Sequence, residues 1–388
     1  MTSYAPPLAG IRVLELGSSV AGPSAGRLLA DLGADVLKVE SAEGDGLRTW
    51  GAPAPDGTSW WFKSHNRNKR FLCFDLHEEA DRETVRAIAL QCDVLIENFR
   101  PGRLEAWGLG YEALRAQHPR LIYASISGYG QDGPYRDRTG FGNIAEAMGG
   151  FRYVTGYPDR PPVRVGISLA DELAALNLVV GILAALRARD RDGVGDLIDV
   201  SLLESCIALT QGQLPEYAAL GVVRERQGNR FSAAAPSGVY PTRDGRWIAI
   251  GANADSIFRR FAAAIGRPEL AADPRFATNR DRSRNIAELE AAIAAWTQSV
   301  DAGEAARVLT GAGVPAGPVY SIADIVADEQ VRARGVVRYL DDGAGNCVAT
   351  AAPAARLRAH PAVLDHAARD VGADTDAVLA ELGIGGSR

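Results

Sequence analysis

The start of the chain alternates apolar runs with segments of helical spacing. Residues 11–16 form a compact β-branched run that predicts a strand, and residues 17–23 form a turn of small residues. Residues 24–32 place leucines on one side of a predicted helix, which ends at Gly33, and residues 34–40 predict a second strand. Strand, turn, helix and strand in this order indicate a βαβ unit.

The same alternation continues through the first half of the chain. Further strands are predicted at residues 71–75, 93–97, 121–127 and 197–201. Helices are predicted at residues 77–91, 104–117 and 171–189. Because parallel strands are joined by crossover helices, this alternation predicts an α/β fold with a mostly parallel sheet covered by helices on both faces.

The second half of the chain follows a different pattern. Residues 211–235 are polar, rich in arginine and weakly periodic, which predicts a linker. Residues 239–251 predict a strand–turn–strand hairpin. Helices follow near residues 256–265, 285–298 and 302–312. The predicted organisation is a large domain over 1–210, a linker over 211–235, a small α+β domain over 236–325, and a segment over 326–388 that returns to the large domain.

Composition narrows the classes of protein that this chain can represent. With 388 residues, 47% hydrophobic and 23% charged, it has the composition of a folded protein, and its net charge of −6 argues against a nucleic-acid-binding protein. No run approaches about 18 uninterrupted apolar residues, and the first residues lack a secretory signal, so we expect a cytoplasmic protein without membrane partners. The four cysteines are too far apart for a zinc site or a disulfide framework, and we expect no metal.

Three glycines in the first βαβ unit invite comparison with a dinucleotide-binding loop. Gly17, Gly22 and Gly26 lie near the first turn, and Glu40 ends the second strand, where an acid binds ribose in nicotinamide-dependent folds. The spacing is G-x4-G-x3-G instead of G-x-G-x-x-G, so the backbone amides would not meet a pyrophosphate in the same way. Close packing of the helix on the strand is the favoured interpretation, and we expect no NAD.

Residues 168–171 read Ser-Leu-Ala-Asp directly before a long apolar-periodic run and match a capping box. Asp171 has two interpretations at this point. It caps the helix, or it is an ionised carboxylate that the helix N-terminus stabilises for nucleophilic attack on an acyl carbon. Glu172, beside it, is expected to face solvent.

Seven segments, spread in order over nearly the whole chain, resemble one family. They read PLAGIRVLELGSSVAGPSAGRLLADLGADVLKVE (residues 7–40), NRNKRFLCFDL (66–76), DVLIENFRPG (93–102), SISGYGQDGPY (125–135), PPVRVGISLADELAAL (161–176), GVPAGPVY (313–320) and DTDAVLAELGI (374–384). On these segments the chain resembles the class III CoA-transferases, the family that also holds formyl-CoA transferase, carnitine CoA-transferase and α-methylacyl-CoA racemase.

This resemblance implies a fold, a partner and a ligand. Members of the family are interlaced homodimers, and each chain has a Rossmann-like large domain built from both ends of the chain and a smaller middle domain. Coenzyme A, carried as an acyl-CoA substrate, lies on the large domain, and the nucleophilic aspartate falls on Asp171. The implied CoA contacts fall on Val20, Ala21, Phe74, Asp75, Leu76, His77, Asn98, Phe99, Arg100, Arg138, Thr139, Gly140 and Phe141.

Several positions depart from formyl-CoA transferase. Ala106 stands where that enzyme has a basic CoA-binding residue, and Arg103 is close enough to replace it. Val20 stands in place of a glutamine that lines its active site, and residues 232–238 lack its glycine run. Formate and oxalate are therefore not the expected acids.

The expected reaction moves CoA from an acyl-CoA donor such as succinyl-CoA to a small organic acid, through an acyl-aspartyl anhydride and an aspartyl-CoA thioester on Asp171. Candidate anchors for the acid are Arg48, Arg67, Arg152 and Arg164. The basic run 65–70 either meets CoA phosphates or forms a solvated loop. Two alternatives stay open: a CoA-binding protein without catalysis, and a 2-methylacyl-CoA racemase. Against the racemase, Phe141 stands in the stretch where that enzyme has a catalytic histidine, and phenylalanine cannot carry a proton.

Overall fold

The computed structural model describes residues 4–231 and 234–385, which divide into two compact units. Unit 1 comprises Met1–Phe151, Val165–Gly221 and Glu329–Arg388, and unit 2 comprises Arg152–Arg164 and Val222–Asp328, each within the described residues. Both ends of the chain thus contribute to unit 1. The stretch 211–235, predicted as a linker, contains a helix over Gln213–Leu220 and is shared between the units.

The elements follow one another in chain order. The strands are β1 (Arg12–Glu15), β2 (Asp35–Glu40), β3 (Lys69–Cys73), β4 (Val94–Glu97), β5 (Ile122–Ser127), β6 (Leu197–Ser201), β7 (Ser237–Pro241), β8 (Trp247–Gly251), β9 (Ala316–Pro318), β10 (Val337–Asp341) and β11 (Cys347–Ala351). The helices are α1 (Ala21–Asp31), α2 (Trp60–His65), α3 (Glu79–Ala89), α4 (Arg103–Ala106), α5 (Tyr111–Arg115), α6 (Gly142–Met148), α7 (Phe151–Val154), α8 (Leu169–Asp192), α9 (Leu202–Ile207), α10 (Gln213–Leu220), α11 (Asp255–Ala264), α12 (Glu269–Ala272), α13 (Asn279–Arg284), α14 (Ile286–Thr297), α15 (Ala302–Gly311), α16 (Ile322–Ala327), α17 (Glu329–Ala333) and α18 (Thr375–Leu382), with 3-10 turns at Gly46–Thr49 and Pro274–Phe276.

Unit 1 is built on a parallel sheet in the order β3-β2-β1-β4-β5-β6. Its strands alternate between two apolar cores because successive side chains point to opposite faces. Val13 and Val36 belong to the core that contains α1 and α8, whereas Leu14 and Leu37 belong to the core that contains α3 and α18. The predicted α/β fold, with a parallel sheet covered on both faces, is confirmed. A separate hairpin, β10 with β11, also belongs to unit 1.

Two predicted helices differ from those observed. The helix predicted at 104–117 is two short helices, α4 and α5, because the chain turns at Gly108 with a φ of 71°. Helix α1 begins at Ala21, inside the stretch predicted as a turn. The connection from β1 to α1 is therefore residues 16–20, of which residues 17–20 form the β1–α1 loop.

Helix α8 is long and apolar enough to cross a membrane by length and composition. One of its sides packs against α1, β5 and β6, and the other exposes Leu176, Val180 and Leu183. A core helix of a folded unit meets the same two criteria, so these properties alone do not indicate a membrane span.

Unit 2 is a small α+β unit. Its sheet has the order β7-β8-β9 with antiparallel pairing, and β7 with β8 forms the hairpin predicted at 239–251. The helices α11, α14 and α15 close a core around Ile248, Phe258 and Leu289. This unit contains the hairpin and the helices that the pattern of the second half predicts.

Three charged side chains, one on each of the strands β1, β2 and β3, are fully buried beneath α1. Lys38 Nζ lies 3.1 Å from Glu15 Oε1, and Lys69 Nζ lies 2.7 Å from Glu15 Oε2. Helix α1 reaches this carboxylate because Gly26 lacks a side chain: a Cβ there would lie 1.8 Å from Glu15 Oε2. The glycine thus makes room for a buried ion cluster.

The other residues that resemble a dinucleotide motif also serve packing. A Cβ on Gly22 would lie 3.3 Å from Gly17 Cα, so the loop and the helix touch at two glycines. Glu40 accepts hydrogen bonds from the Arg48 side chain at 2.9 and 2.6 Å and from the Asp45 amide at 2.8 Å. The close packing predicted for the glycines is present.

Replacing Gly26 by alanine should destabilise the protein, although alanine normally favours a helix over glycine by about 1 kcal/mol. The new methyl group overlaps the Glu15 carboxylate, which two lysines hold in place. We expect a net loss of about 1–3 kcal/mol in the free energy of unfolding, measured with urea. Gly303→Ala in α15 is the matched control, since no described atom lies within 4 Å of its Cβ, and it should be neutral or stabilising. Equal effects in both variants would contradict the packing argument.

A second buried carboxylate, Glu97, ends β4. It accepts a hydrogen bond from the Phe99 amide at 2.8 Å and another from the Ser125 hydroxyl. Burial raises the pKa of Glu97 from 4.5 to about 7. Between these two values the folded protein binds more protons than the unfolded chain, so its stability falls as the pH rises through them.

Glu97→Gln should remove this pH dependence, because glutamine is neutral and its carbonyl still accepts the Phe99 amide. We expect the free energy of unfolding of the variant, relative to the wild type, to rise by about 2–3 kcal/mol from about pH 5 to about pH 8. Urea titrations at both pH values measure it. Glu83→Gln on the exposed side of α3 should show no such change. A difference that does not vary with pH would contradict the shifted pKa of Glu97.

Candidate active site

Asp171 lies in the first turn of α8 and is half-buried. The predicted capping box is wrong in its hydrogen bonds. Ser168 is the N-cap residue, but in the described chain its side chain makes no cap hydrogen bond, and only its carbonyl accepts the Glu172 amide, at 3.1 Å. Asp171 therefore occupies a helix start without being half of a reciprocal cap.

The Asp171 carboxylate packs against the start of α6. A Cβ on Gly142 would lie 2.1 Å from Asp171 Oδ2, so any other residue at this position would displace the carboxylate. The buried Cys206 lies within electrostatic reach of the carboxylates of both Asp171 and Glu146. Burial, with these two carboxylates, raises the pKa of the Cys206 thiol to about 11. The thiol is thus kept protonated beside the carboxylate.

Glu172 does not face solvent as expected. Its Oε1 accepts a hydrogen bond from Ser24 Oγ at 2.8 Å, and its Oε2 lies 3.4 Å from Arg27 Nη2. Ser24 Oγ also lies 3.1 Å from His65 Nε2, and burial lowers the pKa of His65 to about 3, so that histidine is neutral. Glu172 thus ties the start of α8 to α1.

The loop between β1 and α1, residues 17–20, lies where the strand order reverses between β1 and β4. In open parallel sheets ligands bind at this point, beyond the carboxyl ends of the strands. Asn98, after β4, accepts the Ser18 amide at 2.8 Å and donates to the Ser18 carbonyl at 2.9 Å. The side chains of Val20 and Ala21, both among the predicted CoA contacts, are buried at the start of α1. These contacts join three predicted residues in one loop structure.

A cavity of about 180 Å³ opens beside this loop at the carboxyl ends of β1 to β4. Five predicted CoA contacts line it: Phe74, Asp75, Leu76, His77 and Phe99. The rest of its wall includes Gly17, Ser18, Lys38, Glu40 and Asp45. The largest group of predicted contacts is therefore brought together around one cavity.

Trp107 also lines this cavity and was missed from the sequence. Its ring centroid lies 5.4 Å from that of His77 and 5.6 Å from that of Phe99, and the Arg103 guanidinium lies 5.1 Å from it. Ala106 is exposed next to it. The sequence could have indicated Trp107, because it follows Arg103 by four residues, a spacing that places both side chains on one side of a helical turn.

The remaining predicted contacts lie elsewhere in unit 1. Arg100 lines a second cavity of about 170 Å³ with Glu97, Ser125, Gln131 and Arg136. The other predicted contacts, residues 138–141, directly precede α6, which begins at Gly142. In that stretch Arg138 stacks over the Tyr135 ring at 3.6 Å, Thr139 is exposed, Gly140 packs against Gly128, and Phe141 is 68% exposed. These positions stay predictions of CoA contact.

Two of the candidate acid anchors have other roles. Arg48 pairs with Glu40 and lies 4.0 Å from the centroid of the Phe62 ring. Arg67 donates to both oxygens of Asp31, at 2.8 and 2.6 Å, and is buried. The basic run 65–70 is therefore largely buried, not a solvated loop. Arg152 and Arg164 belong to unit 2.

Unit 2 has a cavity of its own, of about 680 Å³. Its wall includes Tyr157, Phe231, Tyr240 and Trp247, and the ion pair of Arg230 with Glu290. The stretch 232–238 lacks the glycine run of formyl-CoA transferase. Its residues 234–238 lie next to this cavity, whereas residues 232–233 lie outside the described residues. Across the described chain, no group of three or more histidine, cysteine, aspartate or glutamate side chains is placed to hold a metal ion.

Comparison with known proteins identifies the family of the chain. The family model of CoA-transferase family III matches residues 8–375. Succinyl-CoA–D-citramalate CoA-transferase of Chloroflexus aurantiacus is 48% identical over 337 residues, which are 86% of this chain and 84% of that protein. The β subunit of succinyl-CoA–L-malate CoA-transferase of the same organism is 37% identical over 97% of this chain and 94% of its own.

A solved structure extends the comparison to the fold. The crystal structure of a CaiB/BaiF family protein from Brucella suis has a TM-score of 0.88 and 38% identity, and the match covers 98% of this chain and 100% of that one. Family model, relatives and structure all span both units. The chain therefore belongs to CoA-transferase family III.

Proposed function

We propose that this protein transfers CoA from succinyl-CoA to a small dicarboxylic acid of the citramalate or malate type, with Asp171 as the nucleophile. The observation that carries the proposal is a carboxylate at the first turn of a long helix, packed against a glycine that leaves room for it. The helix N-terminus favours the ionised form there. The substrates follow from the relatives, whose names specify succinyl-CoA with citramalate and malate.

The first half-reaction makes the enzyme thioester. An Asp171 oxygen attacks the thioester carbon of succinyl-CoA, the C–S bond breaks, and CoA leaves as the thiolate from a succinyl-aspartyl anhydride. The thiolate then attacks the aspartyl carbonyl, the anhydride C–O bond breaks, and succinate leaves. Asp171 now carries CoA as a thioester.

The second half-reaction runs the same steps in reverse with the acceptor. An acceptor carboxylate attacks the aspartyl thioester, which gives a new anhydride and releases the CoA thiolate. That thiolate attacks the acceptor acyl carbon, which forms the acceptor-CoA and restores the Asp171 carboxylate. Thioester is exchanged for thioester, so the overall reaction needs no external energy source.

The cavity at the carboxyl ends of β1 to β4 is the proposed site for the adenosine end of CoA. Trp107 offers a flat apolar face, and Arg103 beside it supplies a cation for a phosphate. Arginine and an aromatic ring together suit a phosphorylated nucleoside, since the ring stacks on the base and the guanidinium pairs with phosphate. In this assignment Arg103 replaces the basic CoA-binding residue that formyl-CoA transferase has at the position of Ala106.

We also propose a homodimer. On α8 the exposed leucine and valine side chains Leu176, Val180 and Leu183 form an apolar stripe at helical spacing, and Val180 is 66% exposed. Beyond α8, Leu214, Tyr217 and Leu220 of α10 are exposed as well. Apolar stripes of this kind on a folded unit mark a surface for another protein. A second copy of the chain is the occupant that the family resemblance implies.

Asp171→Ala should abolish acyl transfer, with a loss of about a thousandfold or more in rate, while CoA still binds. The wild type incubated with succinyl-CoA and trapped with hydroxylamine or borohydride should carry the modification at residue 171, as seen by mass spectrometry of the peptides. The control is Asp190→Ala at the exposed far end of the same helix, which should retain full activity.

Three results would contradict this assignment. Activity of Asp171→Ala within about tenfold of the wild type would exclude the nucleophile. Exchange of solvent deuterium into the α-position of a 2-methylacyl-CoA would indicate the racemase instead. CoA binding without turnover of any acyl-CoA and acid pair would indicate a binding protein without catalysis.

The dimer has its own test. Light scattering after size-exclusion chromatography should give twice the chain mass at micromolar concentration, and the dimer should persist on dilution because interlaced chains separate only on unfolding. Val180→Glu should destabilise the assembly and lower its Tm, whereas Ala113→Glu on the exposed side of α5 should not. A monomer at micromolar concentration would contradict the interlaced architecture.

A further inference from the structure

The β1–α1 loop, residues 17–20, is held at every residue by a side chain from another part of unit 1. The partners are Lys38 Nζ on the Gly17 carbonyl at 2.8 Å, Asn98 on both backbone groups of Ser18, Asp45 on the Ser19 amide at 3.0 Å, and His65 Nε2 on the Val20 carbonyl at 3.3 Å. Backbone groups away from water need a hydrogen-bond partner, which backbone, side chains or water can supply. Here the surrounding side chains determine the path of the chain.

Ser19 shows what this restraint achieves. Its φ is 64°, in the left-handed region that disfavours residues with a Cβ. Such a conformation persists only where its surroundings hold it, and it is concentrated at functional sites. Asp45 supplies the hold, because both of its carboxylate oxygens lie within 3.1 Å of the Ser19 amide nitrogen.

Asp45 is itself kept in place by buried charge. Its Oδ2 lies 3.0 Å from Lys38 Nζ, its Oδ1 accepts the Leu47 amide at 2.9 Å, and its own amide donates to Glu40. Burial alone would raise the pKa of Asp45, but Lys38 and the amide donors outweigh it and hold the pKa below its usual value. The carboxylate is therefore an ionised acceptor for the Ser19 amide throughout the neutral range.

Lys38 and Asp45 both line the 180 Å³ cavity, so a direct contact with a CoA phosphate has to be considered. The Lys38 side chain is fully buried and already surrounded by Glu15, Asp45 and the Gly17 carbonyl. An ammonium group with three close oxygen partners has its three donors in use. Its charge is thus committed to the loop and to the carboxylates and is not presented to a ligand.

We propose that Lys38 and Asp45 are positioning residues, which hold Ser19 in its left-handed conformation and so preform the loop against which CoA thioesters bind. The inference rests on the function proposed above, because it takes this cavity as the CoA site. It concerns residues that touch the loop, not the reacting atoms. Disturbing them should weaken CoA binding and raise KM for the thioester more than it lowers kcat.

Calorimetric titration with CoA tests the proposal on four proteins: the wild type, Asp45→Asn, Asp45→Asn with Ser19→Gly, and Asp35→Asn. In Asp45→Asn one of the two acceptor oxygens becomes an NH₂ group, which faces either Lys38 or the Ser19 and Leu47 amides. The hold on Ser19 is thereby weakened, so we expect CoA to bind about tenfold more weakly. Glycine adopts a φ of 64° without cost, so the double variant should return to within about threefold of the wild type. Asp35→Asn, the same change at the opposite end of β2 in a carboxylate paired with Arg12 and Arg70, should bind CoA as the wild type does.

A second pair of variants leaves the buried charges untouched and applies even if Asp45→Asn does not fold. Ser19→Val places a β-branched residue at a positive φ, whereas glycine adopts this φ without cost, so Ser19→Val should bind CoA about tenfold or more weakly than Ser19→Gly. Equal CoA affinity of Ser19→Val and Ser19→Gly, or wild-type affinity in folded Asp45→Asn, would overturn the positioning role while leaving the transferase proposal intact. If the wild type turns over succinyl-CoA and the Trp107→Ala variant binds CoA as tightly as the wild type does, CoA binds elsewhere and the inference is overturned. A wild type that binds no CoA would overturn both.

Discussion

The carboxylate of Glu15, buried between two lysines, is the constraint on which the arrangement of unit 1 depends. A charge in a dry interior is tolerated only if it is paired and its partners are satisfied in turn. Lys38 and Lys69 pair with Glu15 and use other donors on the Gly17 and Pro23 carbonyls, each at 2.8 Å. Those carbonyls flank the entry into α1. With Asp45, which pairs with Lys38 at 3.0 Å, the cluster has two charges of each sign. The same lysines, through their hydrogen bonds to the two carbonyls, determine where α1 begins.

Helix α1 in turn fixes the residue next to Asp171, the proposed nucleophile. Ser24 and Arg27 lie on α1 and hold Glu172, the residue after Asp171, so the first turn of α8 is attached to the first turns of α1. A hydrophobic cluster of similar volume would stabilise the core as well, but it would leave the loop carbonyls without donors. The polar core thus contributes the geometry of the site more than the stability of the fold.

Much of this fold is readable from the sequence, because a parallel strand buried on both faces is a short apolar run that local pattern detects. The burial of Lys69 is not readable in this way. The run 65–70 has the composition of a solvated loop, and only the pairing of β2 with both β1 and β3, which sets Lys38 directly opposite Glu15, brings these charges together. Register between strands is a tertiary property. The same reason explains Glu172, whose partners on α1 are distant in sequence.

The chemistry proposed for Asp171 explains why residues 140–143, at the start of α6, need no acid or base. Acyl exchange between carboxylates and a thiolate moves no proton, so it needs no acid–base pair, whereas a racemase needs two groups that carry protons. The stretch that would carry such a group has the exposed ring of Phe141 followed by Gly142, which only makes room for the carboxylate. Cys206 is a thiol held protonated by its raised pKa and is a poor competitor for the acyl group. Residues 140–143 supply no side chain that carries a proton, and the exchange proposed for Asp171 requires none there.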